Sequence, residues 1–272
     1  MPKSKPTDGV YLYPMRAKKS YGQHFLTNEH YARRIAEALT LTSDYRHALE
    51  VGPGQGMLTK YLLERDEDFH LKVSEADRDM VEYLGIHYPT LVGDILEGDF
   101  LRLDLEKVFA GQAFGLVGNF PYNISSQILI KLIDNYRLIP EMVGMFQKEV
   151  ADRVIVSHGT KTYGVIGVLV QAYYEPSLLF NVSKGNFNPP PKVESAVIRL
   201  VRRDQPLIAD DQYSLFKHVV KSAFGKRRKM LRNSLKGIFP AEAMEENELF
   251  ERRPEQVSLE DFAGLTRRAA LL

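Results

Sequence analysis

His47-Ala48-Leu49-Glu50-Val51-Gly52-Pro53-Gly54-Gln55-Gly56 decides the architecture of this chain. His47 to Val51 read as a strand, and the glycine-rich turn behind them opens a helical pattern carried by Leu58, Tyr61 and Leu62. Glycines where a strand meets a helix let the backbone turn tightly and approach a ligand closely. The dinucleotide fingerprint would place its third glycine where Met57 stands. The loop, with Gly52 and Gly54 at its centre, therefore reads as a cradle for a small nucleoside-containing molecule other than NAD.

The next strands extend the pattern. A second strand over residues 69–74 ends at Glu75, roughly 20 residues beyond the glycines, where an acid can accept from both ribose hydroxyls; Asp77 is the competing acid. A third strand around residues 91–96 leads to Asp99-Phe100, a carboxylate for an adenine amino group beside a ring to flank the base. The apolar run over residues 114–118 delivers Asn119-Phe120-Pro121-Tyr122. Residues 52, 75, 99 and 119 then share the carboxyl edge of one parallel sheet, where open α/β folds bind ligands.

Asn119 to Tyr122 suit chemistry on a planar amino group. Such an amine is a poor nucleophile because its lone pair is delocalised into the adjacent π system. The Asn119 side-chain oxygen and the Phe120 carbonyl, stiffened by the proline that follows, can each accept one N–H while Tyr122 stacks on the ring. A strand end with a proline turn and a core tyrosine is the plainer alternative.

Composition narrows the classes. The 272 residues are 44% hydrophobic and 26% charged, as in an ordinary globular protein with a substantial core. No apolar run is long enough to span a bilayer, no signal-peptide core follows the basic N-terminus, and a cytoplasmic protein is expected. The absence of cysteine excludes disulfides, thiolate metal sites and a cysteine nucleophile. No metal site is expected. A net charge of +1 hides an uneven distribution.

Residues 1–15 read as a flexible arm. Arg16, Lys18 and Lys19 precede Tyr21-Gly22-Gln23-His24-Phe25-Leu26, a basic and aromatic cluster suited to a lid over a cofactor or nucleic acid. Asn28 caps a helix expected to run to about Leu41, and residues 123–136 form another. A fifth strand is expected over 143–146, a helix opens at residues 147–150, and residues 163–174 are too apolar to be anything but core. Residues 184–192 form a proline-stiffened loop carrying Phe187, which either meets a ligand or anchors the loop, and an alternating strand follows over 193–201. Beyond a linker at 202–211, the acid-free segment 217–236 holds Lys221, Lys226, Arg227, Arg228, Lys229 and Arg232 in a helix-turn-helix suited to phosphates. A small helix over 252–265 closes the chain.

Gly22-Gln23-His24-Phe25-Leu26, Glu50-Val51-Gly52-Pro53-Gly54, Glu75-Ala76-Asp77, Asp99, Asn119 to Ser125, Phe187 to Val193 and Ala223-Phe224 occur in an order and spacing that resembles the ribosomal RNA adenine dimethyltransferases of the small-subunit, kasugamycin-sensitivity type. The resemblance covers nearly the whole chain. It implies a Rossmann-like α/β class I methyltransferase fold over residues 16–203 and a small all-α, RNA-binding domain over 204–272. It further implies S-adenosylmethionine as cofactor, with His24, Leu26, Gly52, Glu75, Asp99 and Asn119 at its site. Asn119, Phe120, Pro121, Tyr122 and Phe187 would act on the target base. Two adjacent adenosines near the 3′ end of small-subunit rRNA, in an immature 30S particle, would be dimethylated at N6 by a monomer. His24 replaces the asparagine of many relatives, and Phe120 their leucine. Large-subunit methyltransferases of the macrolide-resistance type share the catalytic motifs, and DNA or protein-amide methyltransferases share the Asn-x-Pro-Tyr logic. A non-catalytic RNA-binding assembly factor on the same fold is the alternative from another class.

Overall fold

The computed structural model describes Lys18 and residues 22–272, so the arm at 1–15 and Arg16, Lys19 and Tyr21 lie outside the described residues. β1 (Phe25–Leu26) leads to α1 (Glu29–Glu37), whose cap is Asn28 accepting from His30 N at 3.0 Å. The helix stops short of Leu41 because Thr40 and Leu41 turn their N–H groups to the buried Glu141 carboxylate, at 3.0 and 2.9 Å.

β2 (His47–Val51), α2 (Thr59–Leu63), β3 (His70–Glu75), α3 (Arg78–His87), β4 (Ile95–Glu97), α4 (Leu105–Val108), β5 (Gly115–Asn119), α5 (Ser125–Asp134) and β6 (Glu141–Gln147) then alternate along the chain. Their strands lie parallel in the order β4-β3-β2-β5-β6. The third strand is shorter than its expected span of 91–96. Pro89 opens a tight turn over Pro89–Leu91, and Asp94 N closes on Leu91 O at 2.7 Å before pairing begins.

α6 (Lys148–Ile155) and α7 (Val165–Gln171) precede β7 (Tyr174–Val182), β8 (Phe187–Asn188) and β9 (Ser195–Arg202). The core stretch 163–174 thus becomes a helix and the start of a strand. β9 runs antiparallel between β6 and β7, while β8 pairs with β1 outside the main sheet. β7 escaped the sequence reading because it is an edge strand with Pro176 inside it and several exposed residues, which removes the apolar alternation. α8 (Tyr213–Gly225), α9 (Leu231–Ser234), α10 (Ala241–Glu245) and α11 (Leu259–Ala269) complete the chain.

Each central strand feeds two cores, since successive side chains point to opposite faces. Leu49, Leu116, Met142 and Ile198 pack on one side with α5 and α7, and Ala48, Val117, Val143 and Val197 on the other with α1. Covering both faces explains why β5 and β6 read as continuous apolar runs. Phe216 and Val219 of α8 and Phe262 of α11 join the first cluster, so the C-terminal helices share a core with the sheet. The strand order reverses between β2 and β5, and the crevice beyond their carboxyl ends is where this fold binds ligands.

Candidate active site

A cavity of about 280 Å³ opens there, walled by Gly22 to Phe25, by Val51, Gly52 and Gly54 after β2, and by Glu75 and Ala76 after β3. Asp99 and Phe100 after β4 and Asn119 to Ile124 after β5 complete it. His24, Gly52, Gly54, Glu75, Asp99, Phe100, Asn119, Phe120, Pro121 and Tyr122 are therefore brought together as expected from sequence.

One end of the cavity is set by backbone. Gly54 has φ +56°, and a Cβ there would fall 2.8 Å from the Phe25 ring. Its N–H donates to Glu75 Oε2 at 3.1 Å, and Asp77 N donates to Oε1 at 2.9 Å. Burial raises the Glu75 pKa, and these N–H groups oppose the shift. The two acids are placed differently. Asp77 caps α3 through Asp79 N and also accepts from Lys18 Nζ at 2.5 Å and Gln23 Nε2 at 3.0 Å, so it ties the N-terminal segment to the sheet. These contacts raise the Lys18 pKa. Glu75 faces the cavity.

Asp99 caps the 3-10 turn Phe100–Arg102 by accepting from Leu101 N at 2.9 Å, and the Phe100 ring is buried behind it. The glycine cradle, the buried carboxylate and the Asp99-Phe100 turn suit the nucleoside of S-adenosylmethionine in charge and shape. Behind the cradle, Glu50 is fully buried with Thr59 Oγ1 donating to it at 2.7 Å. Burial, with the nearby Glu75 charge adding to it, pushes its pKa up to about 8.

The other end is assembled from distant segments. Asn119 Nδ2 donates to His24 O at 3.0 Å. A carbonyl only accepts, so the amide nitrogen is held there and Oδ1 remains as the acceptor toward the cavity. The Phe120 ring packs 5.0 Å from that of Phe146, and a Cβ on Gly144 would lie 2.3 Å from it. Gly144 thus makes room for the Phe120 ring. Tyr122 OH shares a 2.5 Å hydrogen bond with Ser195 Oγ, and its ring stacks 5.4 Å from that of His24. Burial raises the Tyr122 pKa against this hydrogen bond. His24 Nδ1 lies 2.8 Å from Pro189 O, and since a carbonyl only accepts, Nδ1 is the donor of this bond.

Two expected residues stand apart. Leu26 and Phe187 are partners in the β1–β8 pair and turn to the same side, into the apolar cluster with Val182 and Val197. Phe187 is 4% exposed and is absent from the cavity wall, so it anchors the loop here rather than facing Tyr122. Strand alternation is the reason: Phe25 turns to the cavity and Leu26 away from it. Ser195 and Pro189 were not anticipated, because neither the β1–β8 pairing nor the Tyr122 contact has a local sequence signature.

In the basic segment Lys221, Arg228 and Lys229 are exposed and make no ion pair among the described residues. Lys226 Nζ reaches Asn233 O at 3.5 Å. Arg227 donates to Thr160 O and Lys161 O, and Arg232 pairs with Glu251 at 2.6 Å. Among the described residues no helix is long and apolar enough to cross a membrane, and no group of three or more His, Asp or Glu is arranged to hold a metal.

Comparison with known proteins places the chain in a family. The sequence model of the ribosomal RNA adenine dimethylase family matches residues 15–266. The ribosomal RNA small subunit methyltransferase A of Flavobacterium johnsoniae is 46% identical over 254 residues, covering 93% of this chain and 96% of its own length. A dimethyladenosine transferase from Plasmodium falciparum superposes with a TM-score of 0.74 at 24% identity, over 89% of this chain and 96% of that one. The 23S rRNA methyltransferase ErmE superposes with a TM-score of 0.65 at 26% identity, over 89% of this chain and 99% of that one. By its motifs, its sheet order and these matches, the chain belongs to the ribosomal RNA adenine dimethylase family.

Proposed function

We propose that this protein dimethylates N6 of two adjacent adenosines in the 3′-terminal hairpin of small-subunit 16S rRNA, acting in the cytoplasm as a monomer on an immature 30S particle. S-adenosylmethionine, when bound, supplies an activated sulfonium methyl group. The observation that carries the reading is the Asn119 amide, held by its nitrogen on His24 O with its oxygen left for an N–H donor. The higher identity to a small-subunit enzyme than to the 23S enzyme favours the small subunit over the macrolide-resistance alternative. The intact cavity weighs against a purely RNA-binding role.

In this reading Gly52, Gly54, Glu75, Asp99 and Phe100 hold the cofactor's nucleoside, and His24 and Asn119 border its reacting end. Leu26 supports that wall from the core. Asn119 Oδ1 and the Phe120 carbonyl draw the amine's hydrogens into line, which concentrates the nitrogen lone pair toward the methyl and positions it for transfer. Pro121 fixes the turn, and Tyr122, steadied by Ser195, stacks on the base. Phe187 acts on the base only through the loop it anchors. Extruding a stacked base costs a few kcal/mol, and one aromatic face returns about 1–3 kcal/mol. A single Tyr122 face is thus best matched to an adenosine already out of a helix, as in a hairpin loop. Each transfer leaves the cofactor as a thioether, and the methylated nitrogen, its lone pair used, loses a proton to water. After the first transfer one N–H remains, so only one of the two acceptors is engaged in the second. Lys221, Lys226, Arg227, Arg228, Lys229 and Arg232 supply the phosphate-binding face, with Lys221, Arg228 and Lys229 the most available.

The test is methyl incorporation from labelled S-adenosylmethionine into small- and large-subunit particles lacking their own adenine methyls, followed by nucleoside analysis. Dimethyladenosine confined to immature small subunits is expected. Label confined to large subunits would establish the resistance-type activity instead, and tight particle binding without label would leave an assembly factor.

A further inference from the structure

We propose that Lys131, on α5 behind the cavity, is a positioning residue for the cofactor's adenine, acting by clamping the turn that carries Asp99 and Phe100. The inference rests on the assignment of that turn to the adenine and goes beyond it by naming what holds the turn in place.

The 3-10 turn Phe100–Arg102 is closed in front by Asp99 and by Arg102 N on Asp99 O and Leu103 N on Phe100 O, at 2.9 and 3.1 Å. The carbonyls at the end of such a turn have no backbone donor of their own. Lys131 Nζ meets two of them, donating to Leu103 O at 2.6 Å and Leu101 O at 3.1 Å. It stands 5.5 Å from the centre of the Phe100 ring. A cation at the carbonyl end of a helical turn is favourably placed.

Lys131 makes no ion pair with a carboxylate among the described residues, so its half-buried ammonium is committed to these carbonyls. Partial burial lowers its pKa, while the charges of Asp104, Asp99 and Asp134 oppose that shift. Its helix begins at Ser125, directly after the turn of Tyr122 to Ile124. The clamp therefore fixes Asp99 and Phe100 to the same helix that follows the acceptor turn, without Lys131 appearing in the cavity wall itself.

The experiment is calorimetric titration of S-adenosylhomocysteine into wild type, Lys131→Met, Lys131→Arg and Asp99→Ala, with kcat measured at saturating cofactor. Lys131→Met is expected to weaken affinity about tenfold, the scale of a charge-assisted hydrogen bond, with kcat within about twofold of wild type. Lys131→Arg, which keeps donors for both carbonyls, is expected to recover most of the loss. Should the methionine variant not fold, Lys131→Gln carries the same expectation at about a third of the effect. Unchanged affinity in Lys131→Met while Asp99→Ala weakens binding would overturn this inference alone. Unchanged affinity in both variants would remove the adenine assignment and the clamp with it. A kcat that falls in step with affinity would make Lys131 a structural residue of the catalytic helix and would also overturn the proposal.

Discussion

The two ends of the cavity are built in different ways. At the cofactor end, Gly52, Gly54, Glu75 and Asp99 follow successive strands of one parallel sheet, and the two carboxylates accept from backbone N–H groups no more than 21 residues away in sequence. At the acceptor end, Asn119 is held by His24, Tyr122 by Ser195 and His24 by Pro189, contacts that span 95, 73 and 165 residues of sequence. The first end is a property of sheet topology. The second exists only when the N-terminal segment and the loop before β9 are folded over it. Binding the cofactor and orienting the amine should accordingly be separable by substitution.

The largest effect is expected at the acceptor end. Asn119→Ala removes one of two acceptors for the amine and should lower turnover about 10²–10³-fold, as loss of a preorganised polar group at a reacting centre does. Affinity for S-adenosylhomocysteine should change by less than about threefold, a weak effect on the scale of one neutral hydrogen bond. Equal losses in turnover and affinity would merge the two ends into one functional unit.

At the cofactor end the expected effect is on stability. Glu50 titrates near 8 when folded and in the ordinary carboxylate range when unfolded, so the folded state holds the extra proton between those values. Its contribution is fully present below the unfolded pKa and is lost as pH rises through the folded one. Glu50→Gln should therefore gain stability over wild type, on the order of 3–4 kcal/mol, between about pH 5 and 9. Parallel denaturation curves for the two proteins across that range would show that Glu50 is not held neutral by burial.

A smaller effect sharpens the contrast. Ser195→Ala leaves the Tyr122 hydroxyl without its partner and frees the ring, which should raise the KM for the RNA substrate about 3–10-fold, the scale of one hydrogen bond. Cofactor affinity should not move. A rise in cofactor KM with no change for RNA would place Tyr122 at the wrong end of the cavity.

The same contrast explains what was legible in the sequence. Gly52, Glu75, Asp99 and Asn119 could be read because a parallel sheet repeats its strand ends at a spacing visible along the chain. Phe187 could not be placed, because its orientation depends on pairing with Leu26 across the β1–β8 register. Ser195 carried no sign of its bond to Tyr122, since a lone serine at the start of a strand has no local pattern. β7 was missed where Pro176 and its exposed residues broke the alternation, and α1 ended early because a distant glutamate holds the N–H groups of Thr40 and Leu41. Local regularity was readable, and contacts imposed by tertiary approach were not.

The central claim, that the two ends contribute independently to one reaction, is tested most directly by a double-mutant cycle. Methyl transfer at subsaturating cofactor would be measured for wild type, Asn119→Ala, Glu75→Gln and the double variant. Among the described residues Asn119 and Glu75 share no hydrogen-bond partner. Their effects on kcat/KM should multiply to within about a factor of two, as for independent sites. A discrepancy of about tenfold or more between the product of the single effects and the double variant would contradict the account and show that the cavity works as a single coupled site.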